Sequence, residues 1–273
     1  MAAEVPVRDN DNPAQRDAVL AAVAAIREDP AAPHLLADLA ASGFYSQFHF
    51  HRIFARHTGT TPGRFLTALR MQEAKRLLAH TSETVMSVSD RVGYQSLGSF
   101  TTQFTRLVGT SPGRFRELVD DLAGHRVAEP DLERARAAES RHLDCELLLP
   151  ALTGAPSALD GRVSFVGLFN ADLPQGGLSG FGIVQGASGT LVEQRPSSGR
   201  SEIFLVSLPA DAPLVGLAVG GVEDTLVGRG GAAGPGGGPA ALHLRAPDPL
   251  DPPVVSAAPA VHLRRFLEGA RPR

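Results

Sequence analysis

The chain has 273 residues, a formal net charge of −3, 43% hydrophobic and 5% aromatic residues, and one cysteine. That length predicts two domains, each able to bury an ordinary core. No apolar run approaches the roughly twenty residues a membrane span requires, no secretory leader pattern is read before the first helix, and Cys145 alone excludes an internal disulfide, so a cytoplasmic protein is expected.

The charge is unevenly divided. Residues 13–120 carry twelve Arg or Lys against nine Asp or Glu, with five histidines besides, and the remainder is acidic. Pro13 to Glu28 reads as a helix, because Ala18, Val19, Ala22, Val23 and Ile26 fall at helical spacing. Asp29-Pro30 and Pro33 end it.

A repeat follows. Gly43 to Phe65 reads GFYSQFHFHRIFARHTGTTPGRF, and Gly93 to Phe115 reads GYQSLGSFTTQFTRLVGTSPGRF. The two align without a gap. Each copy predicts a helix-turn-helix unit. A short apolar segment ends at Gly43 or Gly93, suited to a helix C′ position. Ser46 or Ser96 is the N-cap of the next helix. Phe50 and Phe54, or Phe100 and Phe104, lie four apart and turn inward together. Gly59 or Gly109 stops that helix, and Pro62 or Pro112 opens another. Between the copies, Pro62 to about Ala79 predicts one long helix of roughly 26 Å. Two outward helices held about one DNA turn apart, roughly 34 Å, suit successive major grooves of one duplex.

Residues 13–120 closely resemble the DNA-binding domain of the AraC/XylS family of transcription regulators. The carrying runs are Lys75-Arg76-Leu77-Leu78, Val88 to Tyr94, Ser99 to Phe104 and Gly109 to Phe115. The resemblance implies an all-α N-terminal domain of two helix-turn-helix units joined by a long helix, spanning 13–122, that binds double-stranded DNA. Candidate DNA-binding residues in the first copy are Ser46, Gln47, His51, Arg52 and Arg56. Gln suits adenine and Arg suits guanine, whereas Arg56 is placed for phosphate. In the second copy they are Ser96, Leu97, Gly98, Thr101, Thr102 and Arg106. The family often has an arginine where Thr102 stands, so the second copy is expected to contribute less specificity. Arg64, Arg70 and Arg76 either meet phosphates or are solvated. His49 and His51 are two apart and diverge on a helix, so no metal site is read there.

Residues 123–159 change composition and read as a linker. From Gly161 the period becomes extended. Val163 to Phe169, Gly182 to Val184, Ile203 to Leu208, Leu214 to Val219 and Ala241 to Leu244 are strand-like, separated by Gly/Pro/Ser/Asp clusters. That predicts a separate all-β sandwich over 160–262. Leu205, Leu208-Pro209 and Pro213 to Ala218 loosely resemble prealbumin-like sandwiches. Gly228-Arg229-Gly230-Gly231 reads as a hairpin or surface loop, since no lysine or helix supports a phosphate loop. Val261 to Arg273 reads as a short helix or frayed end. No nucleophile elbow, metal-ligand motif or acid–base constellation is found, so neither an enzyme nor a cofactor is expected. The candidate partners are DNA, a small-molecule effector, a second copy of the chain and RNA polymerase; the C-terminal half either senses a ligand or only docks a partner.

Overall fold

The structure, a computed structural model, describes residues 12–127, 161–169, 173–178, 180–185, 188–193, 202–231 and 244–270. The chain divides into two compact units. One is residues 1–70 with 248–253; the other is residues 71–247 with 254–273. The second helix-turn-helix and the β-sheet fall in the same unit.

In the first unit, α1 spans Pro13–Glu28, capped by the Asn12 side chain on the Ala14 N–H at 3.1 Å. It buries Val19, Ala22, Val23 and Ile26. Next come α2, Leu36–Ser42, and α3, Gln47–Thr58. The helix α4, Pro62–His80, is one 19-residue element whose first residues belong here. Phe50, Phe54 and Phe65 are fully buried, with ring centroids 5.9 and 5.5 Å apart in sequence. Arg70 is half-buried and engaged by the backbone rather than simply solvated. Its guanidinium donates to the carbonyls of Pro30, Ala31 and Ala32 at 2.7, 3.2 and 3.1 Å, bracing the chain between α1 and α2. Arg76 is paired with Glu73 at 2.7 Å.

The two turns are not the gapless match the sequence suggests. In the second copy Gly93 has φ 80, and the Tyr94 N–H reaches the Ser89 carbonyl, closing the preceding helix with glycine in the left-handed position. In the first copy Gly43 has φ −97 and Phe44 has φ 60, and the Tyr45 N–H makes the corresponding bond to Ala40. The turn is shifted by one residue, so Tyr45 takes the place of Tyr94. Gly43 is required for packing: a Cβ there would lie 3.0 Å from the Ala18 Cβ and 3.0 Å from the Tyr45 ring. Phe44 bears the left-handed strain instead, with its side chain 98% exposed.

The second unit contains the rest of α4, then α5, Val85–Arg91, α6, Leu97–Val108, and α7, Pro112–Leu122. Phe100, Phe104 and Phe115 repeat the aromatic triad, with centroids 5.6 and 5.7 Å apart. Arg116 donates to the carbonyls of Leu78, Thr81 and Glu83, bracing the chain between α4 and α5 as Arg70 does between α1 and α2. The start of the expected linker is paired: Val127 N–H bonds Ala212, and Leu214 N–H bonds His125.

Five strands, β1 Arg162–Phe169, β2 Gly180–Gln185, β3 Ser188–Glu193, β4 Glu202–Pro209 and β5 Leu226–Gly231, form one antiparallel sheet in the order β3-β2-β1-β4-β5. The described residues hold this one sheet, with no second sheet facing it. The expected strand at Leu214–Val219 is instead a turn leading into a short buried helix, α8, Gly216–Val219. An apolar run of that length does not distinguish strand from buried helix. Here Val222 Cγ2 lies 2.1 Å from where a Gly216 Cβ would stand, and Gly220 and Gly221, at φ 86 and 76, turn the chain away. The glycine run expected as a loop is β5. Gly228 and Gly230 stand opposite Leu205 and Ile203, and the ladder to β4 needs only backbone groups. Arg229 lies over the Phe204 ring at 5.2 Å. Of the expected strand at 241–244, residues 241–243 lie outside the described residues. The last helix, α9, Ala258–Ala270, stacks His262 on Phe181 of β2 at 5.7 Å.

Two backbone contacts tie α6 to this half. The Gly176 N–H bonds the Leu107 carbonyl, and the Ala257 N–H bonds Val108 at 2.9 Å. They satisfy acceptors a helix C-terminus leaves unpaired. Lys75, the only lysine, is fully buried, and its ammonium donates to the Val254 carbonyl at 3.1 Å. Burial lowers its pKa from 10.5 to about 7.

Two predictions follow from these positions. Phe44→Gly relieves left-handed strain and is expected to raise stability by about 0.5–1 kcal/mol after allowing for glycine's looser unfolded chain. Gly43→Ala is expected to lower it by about 1–3 kcal/mol through overpacking. Urea denaturation measures both, and the opposite signs would contradict the shifted turn. Between pH 7 and 10.5 the unfolded chain holds the Lys75 proton while the folded chain releases it. Stability therefore rises with pH across that window, by up to about 1.4 kcal/mol per unit. Lys75→Met is expected to be more stable at pH 7 and to lose that rise; equal pH dependence in both proteins would contradict it.

Candidate nucleic-acid interface

The aromatic triads decide which face each middle helix presents. With Phe50 and Phe54 turned inward, α3 leaves Gln47, Phe48, His49, His51, Arg52 and Arg56 exposed. The helix contains no Asp or Glu, and Arg56 and His57 in its last turn complement the helix dipole. Ser46 is the N-cap, accepting the His49 N–H at 3.3 Å. Gln47, His51 and Arg52 share the exposed surface. Arg56 leans toward α1, with a guanidinium nitrogen 3.5 Å from Gln15 Oε1.

Phe48 is a residue the sequence reading missed. Its side chain is 76% exposed, and the Arg52 guanidinium lies 5.7 Å from its ring centroid. The repeat carried the signal, since position 48 corresponds to Gly98, which was included. A phenylalanine beside the inward Phe50 is easily taken as core, although two residues along a helix points it away.

The second helix is plainer. Ser96 accepts the Ser99 N–H at 3.2 Å and donates to Ser99 Oγ at 2.9 Å. Leu97 is 40% exposed, Thr102 is exposed, and a Cβ on Gly98 would meet nothing. Thr101 is only half-buried rather than fully outward, and its carbonyl accepts the Thr105 hydroxyl at 2.7 Å. Arg106 is exposed and bonded to Gln103 at 2.9 Å. Arg91 is engaged by Glu83, whose carboxyl is held below its ordinary range by the Ser87 hydroxyl and, less strongly, by Arg91. Thus α3 offers aromatic, imidazole, amide and guanidinium groups, whereas α6 offers hydroxyls and one arginine. Among the described residues, no cluster of three or more His, Cys, Asp or Glu is arranged to hold a metal ion, and no helix is long and apolar enough to cross a membrane.

Residues 39–118 match the family of helix-turn-helix domains. The matching segment is 37% identical over 98 residues to an uncharacterised HTH-type transcriptional regulator of Haemophilus influenzae, covering 36% of this chain and 33% of that protein. It is 38% identical over 85 residues to the RCS-specific HTH-type transcriptional activator RclR of Escherichia coli, covering 31% and 30%. Residues 39–118 are an AraC-type helix-turn-helix domain. The chain spans about a third of the length of these curated relatives. Among solved structures, the DNA-binding domain of AdpA in complex with a target DNA is 30% identical with a TM-score of 0.35, covering 36% of this chain and 89% of that one.

The caps of the AraC-type domain give a further test. Ser46→Ala and Ser96→Ala are each expected to cost about 1 kcal/mol of stability by leaving a helix N–H unpaired. Urea denaturation checks this, and no change at either site would show that the cap bond contributes nothing.

Proposed function

We propose that the chain is a sequence-specific DNA-binding transcription regulator in which α3 is the principal reader and α6 the weaker one. The observation that carries this is the exposed, carboxylate-free face of α3, held outward by a buried aromatic triad. Arg52 and Gln47 read base edges by paired hydrogen bonds. Phe48 and His51 supply apolar and polar contacts beside them. Arg56 and Arg106 meet phosphates, which set affinity and its salt dependence. Reading of two successive turns rests on the unbroken 19-residue α4.

The C-terminal half modulates the reader by binding a small ligand, a protein partner or a second copy. A second layer over residues 160–262, of which a sandwich is one form, is supported by β1, where Val163 to Phe169 are buried on both faces of the sheet. A purely docking role is the second reading.

Competitive gel-shift titration on duplexes from the gene's own upstream region tests base reading. Arg52→Ala is expected to lose about 5- to 150-fold in affinity for the preferred duplex and much less for a scrambled one. Arg106→Ala is expected to weaken both alike, and Thr102→Arg to tighten binding. Equal losses on both duplexes for Arg52→Ala would contradict base reading by α3.

A further inference from the structure

The six residues Asp248–Pro253 lie far along the chain from the first helix-turn-helix, yet they belong to its compact unit. Leu250 is 3% exposed and sits in the same apolar cluster as Val19, Val23, Ile26, Phe50, Phe54 and Phe65. Two polar contacts from α1 hold it there, and two bonds within the segment shape it. Arg16 pairs with the Asp248 carboxylate at 2.8 Å, and Arg27 donates to the Pro249 carbonyl at 3.1 Å. The other Asp248 oxygen accepts the Leu250 N–H at 2.8 Å, while the Asp251 carboxylate accepts the Asp248 N–H at 2.6 Å. Arg27 is pulled down by burial and partly restored by Asp251. Pro247, Pro249, Pro252 and Pro253 stiffen the segment and reduce the entropy lost on docking.

Both flanks of this segment are fixed in the other unit. Before it, Arg245 exchanges two backbone hydrogen bonds with Val227 of β5, at 2.8 and 3.0 Å. After it, the Val254 carbonyl accepts Lys75, and the N–H groups of Val255 and Ser256 bond Pro174. A strap thus leaves the sheet, completes the core beneath the first reading helix, and returns.

We propose that this strap is the device by which the C-terminal half controls the first reader. With Leu250 seated, the α1–α3 core is complete and α3 is held. With the strap withdrawn, that core loses a buried leucine and loosens locally, while α5–α7 stay folded. The inference rests on the DNA-reading function proposed above, but its first test needs no DNA.

Native-state hydrogen exchange on the full chain, without DNA, compares wild type with Leu250→Ala. Amides of α1 and α3 are expected to exchange roughly thirtyfold faster or more in the variant, with those of α6 and α7 unchanged. Acceleration of both regions together, or of neither, would overturn the strap as a local device. Should Leu250→Ala fail to fold, Arg16→Ala and Asp248→Ala supply the same comparison at smaller amplitude. A footprint on a bound duplex is then expected to lose only the half protected by α3; uniform loss would overturn control of the first reader. A wild type that protects no DNA would sink the DNA-reading function and, with it, control of reading, leaving the exchange result to stand for the strap alone.

Discussion

Each helix-turn-helix unit is organised around three phenylalanine rings packed beneath a twelve-residue helix. Phe50, Phe54 and Phe65 in one copy, and Phe100, Phe104 and Phe115 in the other, are wholly excluded from solvent. Truncating one buried ring costs about 3–5 kcal/mol, more than any cap or surface ion pair supplies. Two rings sit four apart on the middle helix and the third opens the next one, so the triad fixes both the angle between the helices and the rotation of the reading face. Which residues point outward is therefore decided by residues that are themselves buried.

On this shared frame the two copies have diverged. The first places Phe48, His51 and Arg52 on its outward face; the second places Gly98, Thr101 and Thr102 at the same positions. Support differs too. The last carbonyls of α6 are bonded by Gly176 and Ala257 of the C-terminal half. Gly176, at φ 74, comes so close that a Cβ would lie 2.9 Å from the Arg106 carbonyl oxygen. The first copy takes its outside support from the six-residue strap and Leu250 instead. The proposed division into a weaker and a stronger reader thus coincides with a difference in how the two helices are supported.

The helical half was legible because its signals are local. Pro13, Ser46, Pro62, Ser96 and Pro112 mark helix starts, and phenylalanines four apart mark inward faces. The shifted turn at Phe44 was not legible, because the repeat aligns Gly43 with Gly93 and only the approach of Ala18 forces the difference. Arg70 looks like any surface arginine until the carbonyls of Pro30, Ala31 and Ala32 surround it. In the other half, β1 and β4 carry branched and aromatic residues and were clear. The strand β5 is glycine-rich and owes its conformation to β4, while Leu214 to Val219 has strand composition and helical neighbours. Leu250 and Lys75 were the least legible, since their partners lie about two hundred residues away in the chain.

Selection of bound duplexes from a random pool tests base reading most directly. The proposed function predicts recovery of an enriched sequence, with enrichment weakened when α3 is stripped of Arg52 and Phe48. Recovery of sequences no different from the starting pool would contradict it.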